Sequence, residues 1–250
     1  MGKDVLAWRK KFGVIGPSTN TVVQPDMEQM RPPGVTNHYS RIYTPNAKAL
    51  DDQSAWDATQ VIASNVVEAV KSIMTCEPDY LVMGMSAITF FGGRKGAMEF
   101  AENINRESGG IGCSIGSLSC TAALKAYGGV KRISFLSPYY PISNKEVRQY
   151  FTDEGFEVIN DIPLRAKSWT GIAEITEDTL RATLKQIDGD NVDALVQVGT
   201  NCSMVRLAAA TELVLNKPVI AINTATYWHA LRTSGIRDKV YGLGRLLEEF

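Results

Sequence analysis

The sequence predicts an α/β protein built of two pseudosymmetric parallel-sheet half-domains with a cleft between them, and three observations lead there. Short runs rich in β-branched residues alternate with segments of helical period, as in parallel sheets covered on both faces. A length of 250 residues suits one large domain or two half-domains of roughly 110–125 residues each. The third observation is a repeat of architecture. Strands closing on Gly16-Pro17-Ser18-Thr19-Asn20 and Gly84-Met85-Ser86 are matched, at similar spacing, by strands closing on Ser137-Pro138-Tyr139-Tyr140 and Gly199-Thr200-Asn201-Cys202.

Taken in chain order, the expected strands are Lys11 to Gly16, Val35 to Tyr43, Asp79 to Gly84, Gly110 to Ile115, Val130 to Leu136, Gly155 to Ile159, Val192 to Gly199 and Pro218 to Ile222. The expected helices are Asp52 to Met74, Gly93 to Arg106, Ser117 to Tyr127, Ser143 to Glu154, Thr176 to Ile187, Ser203 to Leu215 and Ala225 to Ser234. Ser143 before Asn-Lys-Glu and Thr176 before Glu-Asp read as N-caps, because a side-chain oxygen there can accept an orphan N–H of the first turn. The expected division is a first half-domain at 1–116, joined by the C-terminal helix 225–250, and a second at 117–224.

Composition narrows the function. Apolar residues at 44% and charged residues at 21% are ordinary globular usage, and a formal net charge of −1 leaves no basic face for nucleic acid or an anionic membrane. The N-terminal stretch has no apolar core of signal-peptide length and no segment reaches the roughly 18 apolar residues of a membrane span, so a cytoplasmic protein is expected. Cys76, Cys113, Cys120 and Cys202 show no Cys-x-x-Cys pairing, and His38 and His229 do not stand at ligand spacing, which argues against zinc and against a disulfide framework. There is no Gly-x-Gly-x-x-Gly after a strand and no Walker loop, and Gly92-Gly93-Arg-Lys-Gly96 is too short for a phosphate cradle. No cofactor and no metal are expected.

The strand ends carry the chemistry. Ligands of open α/β sheets bind beyond the carboxyl ends of strands, so four polar tips from two facing halves would converge on one cleft. Pro17, Ser18 and Asn20 offer hydroxyl, amide and backbone N–H groups to a carboxylate, or equally form a helix-capping turn. Gly84, Met85 and Ser86 can present N–H groups and a hydroxyl to an oxyanion. Tyr139 brings a phenol, and Thr200 and Asn201 line the opposite tip. Cys202 opens a helix whose positive end would lower its pKa, while Cys76, Cys113, Cys120 and His229 read as packing residues.

These tips resemble the Asp/Glu racemase superfamily, in the branch that contains maleate cis-trans isomerases, arylmalonate decarboxylases and the ectoine-utilisation protein. The carriers are Gly13-Val-Ile-Gly-Pro-Ser-Thr-Asn-Thr21, Met83-Gly-Met-Ser-Ala-Ile-Thr-Phe90, Ser137-Pro-Tyr139, Val196-Gln-Val-Gly-Thr-Asn-Cys202, Pro218-Val-Ile-Ala-Ile-Asn-Thr-Ala-Thr-Tyr-Trp228 and Tyr241-Gly-Leu-Gly-Arg-Leu246. The resemblance implies cofactor-independent chemistry beside a carboxylate. In racemases and maleate isomerases of the group it also implies one cysteine on each half. Here the first cysteine position falls at Gly84. Read back from Lys217-Pro218 without a gap, the second falls at Gly199 or Thr200, with Cys202 about one helical turn deeper.

A first-half glycine with a single second-half cysteine is the arrangement the resemblance associates with arylmalonate decarboxylases. The leading expectation is therefore a lyase that decarboxylates a small dicarboxylic acid through an enediolate. Ser86 and Tyr139 would steady the enediolate, Cys202 would protonate it, and Pro17, Ser18, Asn20, Gly84, Met85, Thr200 and Asn201 would bind the substrate. The alternatives are a maleate isomerase-like enzyme, to which Asn20 and Pro138-Tyr139 point, and a non-catalytic dicarboxylate binder. A homo-oligomer is left open.

Overall fold

A computed structural model describes residues 4–48 and 51–250. Two sheets of four parallel strands form the framework, and they share one strand order. The first sheet contains β1 (Lys10–Pro17), β2 (Val35–Ile42), β3 (Tyr80–Met83) and β4 (Cys113–Ser114) in the order β2-β1-β3-β4. The second contains β5 (Arg132–Ser137), β6 (Glu157–Pro163), β7 (Ala194–Gln197) and β8 (Val219–Ala221) in the order β6-β5-β7-β8. In each sheet the two central strands, β1 and β3 or β5 and β7, are those that end in the polar tips. Phe12–Pro17 of β1 and all of β3 and β7 are buried, which is why these strands read as apolar runs rather than alternating ones.

Helices cover the sheets: α1 (Val23–Gln29), α2 (Asp52–Met74), α3 (Gly93–Glu107), α4 (Gly116–Tyr127), α5 (Pro141–Asp153), α6 (Glu177–Ile187), α7 (Val205–Leu215), α8 (Ile222–Thr233) and α9 (Arg245–Glu249). α2 buries Ala55, Thr59, Ile62, Val66, Ala69, Val70 and Ile73, a stripe three and four residues apart that fits a helix lying on a sheet. Asp51 starts it with a capping box, accepting from the Ser54 N–H while its own N–H donates to Ser54 Oγ. Although α8 follows β8, it packs on β3, β4 and α4, so the chain crosses back to the first sheet.

The expected strands and helices all form, with ends that differ by a few residues. The seven-residue α1 escaped the sequence reading, and the C-terminal helix expected over 225–250 is instead two helices, α8 and the five-residue α9, with irregular chain between them. Thr176 caps α6 by accepting from the Thr179 N–H. Ser143 does not cap α5: the helix starts two residues earlier at Pro141, whose fixed φ suits a first helical position, and Tyr140 takes the cap place. No helix among the described residues is long and apolar enough to cross a membrane.

Candidate active site

The turn after β1 shapes one wall of the site. Asn20 Oδ1 accepts the N–H groups of Val22 and Val23, both at 2.9 Å, and so turns the chain into α1. Its Nδ2 crosses to the other half and donates to Thr200 Oγ1 at 3.2 Å. Asn201 makes the reciprocal reach, its Oδ1 accepting the Thr21 N–H at 2.9 Å and its Nδ2 donating to the Trp169 carbonyl at 2.9 Å. Each half thus lends an asparagine to fasten the tip of the other.

The middle of the site is a hydrogen-bonded cluster from three strand tips. Ser86 Oγ and the Tyr139 hydroxyl lie 2.6 Å apart, and the Thr200 N–H donates to Ser86 Oγ at 3.1 Å. Thr200 Oγ1 also donates to the Gly84 carbonyl at 3.0 Å. Tyr139 is held by its backbone: its N–H donates to Ser137 Oγ, and its carbonyl accepts from the Arg165 N–H. Burial pushes the Tyr139 phenol above the ordinary tyrosine range, so it remains a protonated donor at neutral pH.

These groups border a cavity of about 40 Å³ between the halves, walled by Pro17, Asn20, Met85, Ser86, Tyr139, Thr200 and Asn201 among others. Of the predicted site residues, these seven are brought together. Ser18, Gly84 and Cys202 are not on the wall. Ser18 Oγ accepts the Thr44 N–H at 2.9 Å and ties the turn to the chain beyond β2, while Gly84 contributes its carbonyl to Thr200. The expectation for Cys202 is corrected on two counts. α7 begins at Val205, so Cys202 lies in the turn ahead of it. The thiol is 1% exposed, and burial, with the nearby Asp26 charge adding to it, pushes its pKa up to about 12 instead of lowering it.

Sequence reasoning placed Thr19 and Gly199 on the strand tips without a substrate role, and it missed Ile62, Ala87, Trp169 and Ile172 on the same wall. Trp169 and Ile172 come from the segment between β6 and α6 and Ile62 from the inward face of α2, places that carry no strand-tip signal. His229 is a packed histidine, as expected: its Nδ1 lies 2.7 Å from Ser114 Oγ, and burial lowers its pKa. Among the described residues no three His, Cys, Asp or Glu side chains group as metal ligands.

A family model, arylmalonate decarboxylase, matches residues 13–247. The chain belongs to the arylmalonate decarboxylase family. Within the branch, a maleate isomerase of Alcaligenes faecalis is 26% identical over 121 residues, 48% of this chain and 47% of that protein. The matched region thus spans about half the length of that curated relative. The fold is similar over nearly the whole chain to a Nocardia farcinica maleate cis-trans isomerase bound to TRIS, with a TM-score of 0.85, 20% identity and coverage of 96% of this chain and 98% of that one. It is also similar to a crystal structure of arylmalonate decarboxylase, with a TM-score of 0.74, 17% identity and coverage of 96% and 100%. Members of the arylmalonate decarboxylase family are enzymes, and both likenesses place this chain in the Asp/Glu racemase-like α/β fold.

Proposed function

We propose that this protein is a cofactor-independent lyase that removes one carboxylate from a small malonate-type acid through an enediolate. The observation that carries the reading is the cluster of Ser86 Oγ, the Tyr139 hydroxyl and the Thr200 N–H on a cavity wall that bears no thiol. In this reading one carboxylate takes the place of the mutual hydrogen bonds and accepts from all three donors. The other faces Ile62, Met85, Trp169 and Ile172, where an anion is poorly solvated and its departure as carbon dioxide is favoured. The carbon–carbon bond breaks, its electron pair passes into the enediolate, and the gripped oxygens carry the new charge. Tyr139 then gives its proton to the α-carbon and regains one from water.

Cis-trans isomerisation, the activity named for the maleate isomerases this chain is similar to, is the second reading, although the positions where the resemblance places their two cysteines fall at Gly84 and at Gly199 or Thr200. The curated relative named above is what favours a maleate isomerase-like second reading.

A panel of mono- and disubstituted malonates, assayed for carbon dioxide release, tests the proposal. Turnover is expected, with Tyr139→Phe slower by about 10²- to 10⁴-fold and Cys202→Ala within a few-fold of the parent. The reverse pattern would hand the proton to Cys202. Fumarate formed from maleate, followed by NMR, would move the protein to the isomerase reading, and tight binding with no turnover would make it a dicarboxylate binder.

A further inference from the structure

Asp26 has no part in the chemistry proposed above, yet it is a carboxylate only 6% exposed and one residue removed from the cluster. Its Oδ1 accepts from Gln29 Nε2 at 3.0 Å and its Oδ2 from Asn223 Nδ2 at 2.8 Å. The second hydrogen of the Asn223 amide goes to the Thr200 carbonyl at 2.9 Å. Thr200 is therefore held through its carbonyl by Asn223, through its N–H by Ser86 and through its hydroxyl by Gly84 and Asn20. Asn223 Oδ1 is buried and has no hydrogen-bond partner.

That unpartnered oxygen makes the arrangement sensitive to the state of Asp26. An ionised carboxylate only accepts, so it fixes the amide with Nδ2 toward Asp26 and the Thr200 carbonyl. A protonated carboxyl is a donor, and Asn223 Oδ1 is an acceptor in want of one. Satisfying it requires the amide to turn over, which withdraws Nδ2 from Thr200 and sets oxygen against oxygen.

We propose that Asp26 is a positioning residue which, through Asn223, holds Thr200 in its anion-gripping place only while the carboxylate is ionised, so that the site closes down in acid. This rests on reading Ser86, Tyr139 and Thr200 as the anion grip. Burial moves the Asp26 pKa up to about 6, opposed by the hydrogen bonds from Asn223 and Gln29 and by the charge of Arg206. The groups facing it are neutral Asn223 from α8, the Arg206 guanidinium from α7, whose Nε donates to Gln29 Oε1 at 3.1 Å, and the un-ionised Cys202 thiol from the turn before α7. The ionised fraction falls as pH drops through about 6, so the grip is complete above that pH and lost below it.

Two measurements on the full chain test this. Without any ligand, the backbone amide resonance of Thr200 is expected to titrate with a midpoint near 6, to be flat in Asp26→Asn, and to be flat in Asn223→Ala, where the carboxyl is retained but the link is cut. With a malonate substrate, kcat/KM of the parent is expected to fall about tenfold per pH unit on the acid side, and Asp26→Asn to lose that limb and sit at the low plateau. A Thr200 midpoint near 6 that survives in either variant overturns the proposal, as does an acid limb retained in Asp26→Asn. If no malonate is turned over but the Thr200 titration behaves as stated, the lyase reading fails and the link from Asp26 to Thr200 stands.

Discussion

Gly199 and Gly84 stand where a side chain would meet its neighbours at short range. Gly199 has φ +110°, and a Cβ built on it would lie 2.4 Å from Pro138 Cδ. A Cβ on Gly84 would lie 2.7 Å from Val23 Cγ1 and 3.2 Å from the Ile15 carbonyl oxygen. A side chain at either place therefore needs its neighbours to shift, the Pro138 ring at Gly199 and the Val23 side chain at Gly84, and Gly199 carries the strain of a left-handed φ besides. Gly199→Ala is expected to destabilise the fold by about 2 kcal/mol or more, read as a lower midpoint in urea with an unchanged slope. Asp26 yields a residue-scale prediction of opposite sign. Its folded pKa is raised above 3.8 to about 6, so the stability linked to it is full below pH 3.8 and declines as pH rises through about 6. Asp26→Asn should therefore be more stable than the parent at pH 7.5, by about 3 kcal/mol at most, with the advantage gone near pH 3.5. Thermal melts at the two pH values check it, and a variant less stable at pH 7.5 would mean that the hydrogen bonds to the carboxylate outweigh its desolvation.

Among the elements, α1 shows where sequence reading stops. Its seven residues, Val23-Gln-Pro-Asp-Met-Glu-Gln, are too few to display a helical stripe, and Pro25 in the first turn reads as a breaker although a proline is tolerated there. The strand tips were legible because polar clusters at the ends of apolar runs recur in both halves. The wall residues Trp169, Ile172 and Ile62 were not, since nothing in their local sequence says which way they face. Cys202 misled because its nearness to a helix start was visible and its burial was not. Asn20 had two readings from sequence, carboxylate grip and capping turn. The structure gives it the turn, with its amide nitrogen spent on Thr200. Asn20→Ala is expected to lower stability by about 1–2 kcal/mol by orphaning two N–H groups. Asn20→Asp keeps the acceptor and should fold nearly as well, yet lose activity because nothing then donates to Thr200 Oγ1. Denaturation midpoints compared with kcat/KM separate the two losses.

In the whole molecule, the same strand order built twice brings the tips of β1, β3, β5 and β7 to one junction, and the two halves are joined there by hydrogen bonds rather than by a hydrophobic seam alone. A cavity of about 40 Å³ lies at that junction. A carboxylate bound there would replace the internal hydrogen bonds of the Ser86, Tyr139 and Thr200 cluster with bonds of its own. Because the ligand then bridges both halves, its binding energy is added to the cohesion of the entire fold. A malonate-type acid at about 100 times its Kd is expected to stabilise the protein by about 2.7 kcal/mol, a rise of roughly 5–11 °C in Tm for a chain of this size. In Ser86→Ala and Tyr139→Phe the same concentration should give a much smaller rise, since the carboxylate loses a donor while the apolar side of the cavity is untouched. Scanning calorimetry across a series of small mono- and dicarboxylates checks it. An equal rise in parent and variants would place the ligand away from the strand tips, and the absence of any rise at millimolar concentrations would deny the junction an anion-binding role.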